Sequence, residues 1–442
     1  MVGWGQYQSE LQPKSQPGMK PMLPIVDYPP LIAEEAVYFQ DLFSRPQYQH
    51  FQRYVTGVMV APEVNVSAIA GLFFQGRDRS CLDRFLLEAN WSAQEVNRRR
   101  VERLNSQPQT ASQPGGALII DDTLTHKTGS KMEGAGRFYD SSAGRYVWGH
   151  NLVTCNYAKG QVSWPINFRV YRKREQCEPE EFQTKLELAC ELIGEAVGKL
   201  GVKASVVLFD SWYLCPKLAE YIASLGLDWI SEAKSNRMVW IARKRMSLAE
   251  YAASLPTEAF REAEIYGRRY WYFSRCLWMS KLGKVRVAIA YPSTALRASD
   301  NAALEGEPKF LVTNRLDWEK HKILRTYTWR WEIEAFYREV KQHLGLEDYQ
   351  LRGLRGILRH WCLVLVAYSF LKLSGWRDKL VGYLAYQLGS IGARCRLVAG
   401  QVLQGFIFWV CEQVKRGLGA EAIGKQVFGR GEAGLKKFSF CP

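Results

Sequence analysis

The hydrophobic pattern changes its period twice along this chain, and those changes mark out its regions. Residues 1–30 are broken by Pro13, Pro17, Pro21, Pro24, Pro29 and Pro30, a composition that predicts an extended, flexible arm. From residue 31 to 104 the apolar positions recur at helical spacing, with breaks at Pro46, Pro62 and Gly76. The run Trp91-Ser92-Ala93-Gln94-Glu95-Val96 reads as a helix start, with Ser92 and Glu95 as a capping box and Trp91 and Val96 as its staple. The helix that follows carries Arg98, Arg99, Arg100 and Arg103. Short helices ending in an arginine-rich one suit a helix-turn-helix module on DNA. An exposed basic helix on an all-α adaptor would carry the same pattern.

Residues 105–116, rich in Gln, Ser, Pro and Gly, read as a linker. Beyond it short apolar runs replace the helical period. Ala117 to Ile120 predicts a buried strand ending on Asp121 and Asp122. Residues 145–157 and 162–173 predict two strands joined at Ala158-Lys159-Gly160, followed by a helix from Pro179 to Leu200. Ser205 to Phe209 is a second apolar strand that ends on an acid, Asp210. A helix over Pro216 to Leu225 and a strand through Trp229 and Ile230 complete an α/β core. Residues 236–305 hold basic clusters and short β-like runs and read as an insertion. The strand Phe310 to Thr313 then leads into a helix, and after Gly345 the pattern is helical through residues 346–442. The expected architecture is multidomain. It has a helical DNA-binding domain over 31–104, an α/β catalytic domain over 117–345 with its insertion, and a helical C-terminal region.

Composition narrows the class. Apolar residues make up 47% and charged residues 23%, which describes a soluble globular protein. Lys and Arg number 59 against 44 Asp and Glu, a net charge of +15 that favours an anionic polymer as partner. The ten cysteines form no Cys-x-x-Cys pair, which argues against a zinc site and against a disulfide scaffold. The N-terminus has no hydrophobic signal core, and the apolar run Trp361 to Leu371 is too short to cross a bilayer and reads as a core helix. The expectation is an intracellular, soluble protein with no membrane partner.

The chemistry lies in three acids and one helix. Tyr327, Arg330, Glu334 and Lys341, placed on a single α-helix, would project within about 60° of one another. A lone Arg330–Glu334 spacing is also what a solvated i, i+4 ion pair looks like. Trp329, Trp331, Ile333, Phe336, Tyr337 and Val340 surround the polar stripe, however, and predict a largely buried helix where charges need a reason. Strand-end acids often only initiate turns. Taken with Glu334, Asp122 and Asp210 suggest three converging carboxylates, a cluster that repels itself unless cations neutralise it. Two Mg²⁺ ions about 4 Å apart would do so and could drive phosphoryl transfer.

The Asp121-Asp122-Thr123 motif, the Asp210 strand and Tyr327-x2-Arg330-x3-Glu334-x6-Lys341 resemble DDE transposases of bacterial insertion sequences. The likeness is to the insertion-sequence-four superfamily with its Tyr-Arg-Glu-Lys signature, in its seven-hundred-and-one branch, and it covers residues 34–375. That resemblance implies a ribonuclease-H-like core with a β-rich insertion before the glutamate, and a bacterial protein of the cytoplasm and nucleoid. It implies Asp122, Asp210 and Glu334 as catalytic metal ligands. Asp121 remains the rival to Asp122, which is preferred because it directly precedes Thr123. Tyr327, Arg330 and Lys341 would grip phosphates at the transposon end, and Arg98, Arg99, Arg100 and Arg103 would face DNA. Two Mg²⁺ ions, with Mn²⁺ as a substitute, would serve end cleavage, hairpin formation and strand transfer in cut-and-paste transposition. The partners are double-stranded DNA, as terminal inverted repeats and target, and a second copy of the chain in the synaptic complex. A tryptophan of the insertion stacks on a flipped base in some relatives; Trp240, Trp271 and Trp278 are the candidates, with core packing the competing role for each. The alternative to a working enzyme is a transposase-derived DNA-binding protein without catalytic activity.

Overall fold

A computed structural model describes residues 24–74, 78–292, 306–318, 320–374 and 389–428. The arm expected before residue 24, the break at Gly76, the end of the insertion and parts of the C-terminal region lie outside the described residues.

In chain order the first helices are α1 (Pro30–Ala36), a 3-10 turn (Val37–Leu42), α2 (Arg45–Val60), α3 (Val66–Gly71), α4 (Arg79–Leu87) and α5 (Ala93–Asn105). Strands follow: β1 (Ala117–His126), β2 (Gly136–Asp140), β3 (Arg145–Lys159) and β4 (Val162–Tyr171). After α6 (Lys185–Gly194), which runs on as a π-turn over Glu195–Lys199, come β5 (Val206–Phe209), α7 (Pro216–Ser224) and β6 (Asp228–Ala233). Next are β7 (Met238–Ile241), β8 (Lys244–Ser247), α8 (Leu248–Ala253), β9 (Arg261–Ile265), β10 (Arg268–Met279), β11 (Gly283–Pro292) and β12 (Lys309–Thr313). The chain closes with α9 (Lys320–Tyr327), a 3-10 turn (Thr328–Arg330), α10 (Trp331–His343), α11 (Leu354–Ser374), α12 (Ile391–Lys415) and α13 (Ala420–Phe428).

These elements form two compact units. Among the described residues, one holds 105–130 and 134–337, and the other joins those of 24–104 with 131–133 and those after 337. The sheet unit is one 12-stranded mixed sheet in the order β2-β3-β1-β5-β6-β12-β11-β10-β7-β8, with β4 on β3 and β9 on β10. β1 runs antiparallel to β3 and parallel to β5, and β5 is parallel to β6. Apolar runs on the central strands explain the burial: Leu118, Ile119, Ile120, Val207, Leu208 and Phe209 are all fully buried. The insertion does not stand apart. β11 pairs antiparallel with β12, so β7 to β11 continue the core sheet.

Several local expectations change. β1 does not stop at its acids but runs on to His126, because β3 supplies a hydrogen-bonding partner along its whole length. The crossing of the two strands is tight: a Cβ on Gly149 would meet the Thr125 carbonyl oxygen at 1.9 Å, so only glycine fits there. α6 starts at Lys185, not Pro179, because Thr184 and Glu187 form the capping box that opens it. The helix expected to carry Tyr327 through Lys341 is split by the 3-10 turn, which rotates Tyr327 out of line with Glu334.

In the helical unit, N-terminal and C-terminal helices share one core, where the sequence pattern suggested separate regions. α11 is at its centre. Tyr54 of α2 meets His360 Nδ1 at 2.9 Å, and Arg359 donates to the carbonyls of Leu86 (2.9 Å) and Ala89 (2.7 Å) at the end of α4. α11 and α12 are both long and apolar enough to cross a membrane, but 89% of the apolar window of α11 is buried inside the protein, which makes it a core helix. α12 is different, with Ile407 and Phe408 exposed on its surface. The described cysteines are free.

The arginine-rich helix α5 turns inward, and here the DNA-facing expectation is corrected. Arg103 is buried and forms an ion pair with the fully buried Glu35 at 2.9 Å. Arg100, also buried, donates to Ser369 Oγ at 2.9 Å and to Asn97. Neither is available to a phosphate, because each compensates a buried polar group of its own unit. Arg98 pairs with Glu95 and Glu102, and Arg99 holds Asp41 with two bonds of 2.7 Å. Removing one partner of the Glu35–Arg103 pair leaves a buried charge. Glu35→Gln or Arg103→Met is therefore expected to cost about 3–5 kcal/mol in denaturant unfolding followed by circular dichroism. The double variant Glu35→Leu/Arg103→Met should recover much of it.

Candidate active site

The parallel pairing of β1 and β5 assembles the site. Ile119 lies opposite Leu208, so two residues further on Asp121 comes level with Asp210, just past the end of β5. Four oxygen-bearing acids gather here: Asp121, Asp122, Asp210 and, from α10, Glu334. Each is held differently.

Asp121 shares its face of the sheet with Thr154, its partner on β3. Its Oδ2 accepts from Arg330 Nη1 at 2.8 Å, and Arg330 Nη2 reaches Glu334 Oε1 at 2.7 Å. The guanidinium thus bridges a strand acid and a helix acid. Tyr337, one turn beyond Glu334, bonds to Thr154 Oγ1 and pins α10 over that face. Burial pushes the Asp121 carboxyl up to about 7, with Arg330 opposing the rise and the neighbouring Asp210 and Asp122 adding to it.

Asp210 caps its own loop, its Oδ1 accepting from the backbone N–H of Trp212 (2.9 Å) and Tyr213 (3.3 Å). Burial raises its pKa too, against Arg330 and those two N–H groups. The strand end itself is fixed from both sides. Tyr327 donates to the carbonyl of Phe209 at 3.3 Å, and Ser231 Oγ to that of Asp210 at 3.0 Å. Tyr327 is buried, so its hydroxyl holds the strand rather than lying open to a phosphate as expected.

Asp122 points the other way, because successive residues of a strand alternate faces. Its Oδ2 accepts from Lys185 Nζ at 2.7 Å and from Asn151 Nδ2 at 3.0 Å, and its Oδ1 from the Tyr213 hydroxyl at 3.0 Å. Lys341 belongs to the helical unit, where it pairs with Glu347 at 3.1 Å.

Carboxylate oxygens are the donors that a hard divalent cation takes, and buried acids at elevated pKa call for one. By donor chemistry alone, these carboxylates are of the type that takes a divalent metal. Among the described residues, though, no three acid, imidazole or thiol groups converge at ligating distance; Arg330 and Lys185 hold the acids where a cation would. Arg330 was legible in the sequence. Lys185, Asn151, Thr154 and Tyr213 were not, since nothing local marks a residue that meets the site only through tertiary packing. Of the insertion tryptophans, Trp240 and Trp278 are exposed and lie opposite each other on β7 and β10, which corrects the core role considered for them; Trp271 is half-buried.

Residues 38–256 match the family model of the DDE superfamily endonucleases. The chain is also 29% identical over 273 residues to the probable transposase for insertion sequence element IS701 from Microchaete diplosiphon, covering 61% of this chain and 68% of that protein. These matches support an enzyme of the DDE transposases, similar to the transposase of the IS701 element.

Proposed function

We propose that this transposase moves its insertion sequence by cut-and-paste transposition, through successive phosphoryl transfers at a site built on Asp210, Glu334 and one of the paired acids of β1, Asp122 or its rival Asp121, which is the one bridged to Glu334. The observation that carries the reading is the Arg330 bridge from Asp121 to Glu334. It ties the helix acid to a strand acid, Asp121, in a chain that carries the Tyr-Arg-Glu-Lys spacing. The strand order β4-β3-β1-β5-β6, with β3 alone antiparallel to its neighbours among these five, supports a ribonuclease-H-like core.

In the proposed sequence, water attacks phosphorus at each transposon end, the bond to the 3′ oxygen breaks, and a 3′-hydroxyl is released. That hydroxyl then attacks the opposite strand to give a hairpin, which a second water reopens. The freed 3′-hydroxyl finally attacks target DNA and displaces a target 3′ oxygen. Two bound Mg²⁺ ions would lower the pKa of the attacking group and stabilise the departing oxygen. The protein's own part is orientation. Tyr327 and Ser231 fix the end of β5, Tyr337 fixes α10, and Arg330 places positive charge between the acids. Arg98 and Arg99 are the members of α5 that keep some exposure and are the remaining candidates there for DNA contact. Pairing of the two terminal repeats calls for two copies of the chain.

Purified protein with labelled DNA carrying its element's ends is expected to cut at the ends with Mg²⁺ and not with Ca²⁺, and to join the freed end to target DNA. Glu334→Gln should lose both activities while still binding the ends. Binding without cleavage by the wild type would sink the proposal, and cleavage without joining would leave a nuclease instead.

A second expectation concerns pH. The Asp121 pKa is raised on folding, so the stability linked to its neutral form is full below about pH 4 and lost as pH climbs through about 7. A divalent ion competes with that proton. Mg²⁺ should therefore raise the melting temperature more at about pH 8 than at about pH 6. Asp210→Asn should abolish the gain, and Asp121→Asn and Asp122→Asn measured side by side show which strand acid binds the ion.

A further inference from the structure

Beyond the acids the sheet continues into a hairpin. β1 and β3 keep one register from Asp121 opposite Thr154 to His126 opposite Gly149, and β2 pairs with the far end of β3. Side chains alternate along a strand, so Trp148 and Tyr146, six and eight residues before Thr154, share the face of Asp121. Residues directly opposite each other also share a face, which adds Arg137 beside Trp148 and Tyr139 beside Tyr146. At about 3.3 Å per residue, this patch lies about 20–26 Å along the strand from the level of Asp121.

The hairpin is held in place by contacts that do not use the patch. Phe138, on its other face, is buried and packs on Tyr171 with ring centres 6.0 Å apart. Asp140 is the one acid between Gly136 and Gly149, and it is taken up locally. Its Oδ1 accepts from the backbone N–H of Ser142 (2.9 Å) and Ala143 (3.2 Å), and its Oδ2 lies 2.9 Å from His126 Nε2. Tyr139 and Tyr146 still stand 58% and 63% exposed, edge to face with ring centres 5.4 Å apart, and the Arg137 guanidinium lies 5.9 Å from the Tyr146 ring. A cross-strand tyrosine pair would stabilise any hairpin. It does not account for the arginines: Arg137 and Arg145 are exposed, and neither forms an ion pair among the described residues.

We infer that this hairpin is a second contact for double-stranded DNA, a clamp on the phosphate backbone set off from the reacting phosphodiester. This rests on the transposase reading given above. Guanidinium groups and tyrosine hydroxyls both donate to phosphate oxygens, and the hairpin's exposed charge is positive. Each strand of a duplex advances about 3.4 Å per base pair, so the patch falls about 6–8 base pairs from a phosphodiester at the acids. Contacts of this kind fix the register of the DNA without reading its sequence.

The experiment titrates the whole protein, without divalent metal, into duplexes carrying its element's end, followed by fluorescence anisotropy at several salt concentrations. Arg137→Gln/Arg145→Gln is expected to weaken binding about tenfold and to lower the log–log salt slope by nearly two, since each lost phosphate contact removes about 0.9. Tyr139→Phe/Tyr146→Phe keeps the ring pair and should weaken binding several-fold. Ethylation interference on the wild type, which needs no variant, should mark phosphates about 6–8 base pairs from the element's terminus, and those marks should vanish in the arginine variant. Circular dichroism melting checks that the variants fold. An unmarked wild-type backbone there, or an unchanged slope in a folded arginine variant, overturns the inference. So does a variant that loses a dimer in analytical ultracentrifugation while keeping its DNA affinity, which would give the face to a second copy of the chain. A wild type that does not bind the element's end overturns the transposase reading and the inference with it, a different result from binding that ignores the hairpin.

Discussion

Crowding of buried carboxylates where β1 runs past the end of its parallel neighbour β5 is the constraint on which the sheet unit is organised. Two strands side by side bring Asp121 level with Asp210, and burial makes their charges expensive. A carboxylate in that position needs a hydrogen bond, a cation or a proton. The protein uses all three. Backbone N–H groups hold Asp210, Arg330 spans Asp121 and Glu334, and burial keeps the Asp121 carboxyl at about 7. The site is thereby kept assembled, with Arg330 and Lys185 set against its four acids.

Much of the surrounding architecture serves to make that crowding rigid. The parallel β1–β5 pair fixes the level of the two aspartates, and the long β1–β3 ladder carries β1 past them to His126. Tyr327 was expected at the phosphate, yet it is buried and fastens the end of β5. Tyr337 was expected only as apolar filling, yet its hydroxyl ties α10 to Thr154 on β3. Both tyrosines work as struts, because a hydroxyl buried among apolar groups must find a partner.

The helical unit meets the same physical problem by another route. Arg100 and Arg103 on α5 and Arg359 on α11 are not a display for DNA but internal fasteners. Arg103 answers Glu35, Arg100 answers Ser369 and Asn97, and Arg359 gathers the free carbonyls at the end of α4. An arginine-rich helix reads as a basic face only while its partners are unknown. Here the partners come from segments as distant as α1 and α11.

The sequence by itself determined the chemistry of the catalytic unit. Apolar runs that lead into acids, and a fixed spacing of Tyr, Arg, Glu and Lys, already point to a DDE site, because residue type and spacing are local signals, even though Tyr327 is buried against β5 and Lys341 pairs with Glu347. It also placed most strands and helices of the α/β core, since period-2 and period-3.6 patterns are local signals. Tertiary structure decided what each group touches. It put Asp121 and Asp122 on opposite faces of one strand, gave Lys185 to Asp122, split the signature helix with a 3-10 turn and turned Arg100 and Arg103 inward. Such outcomes depend on contacts between residues far apart in the chain, which no local pattern records.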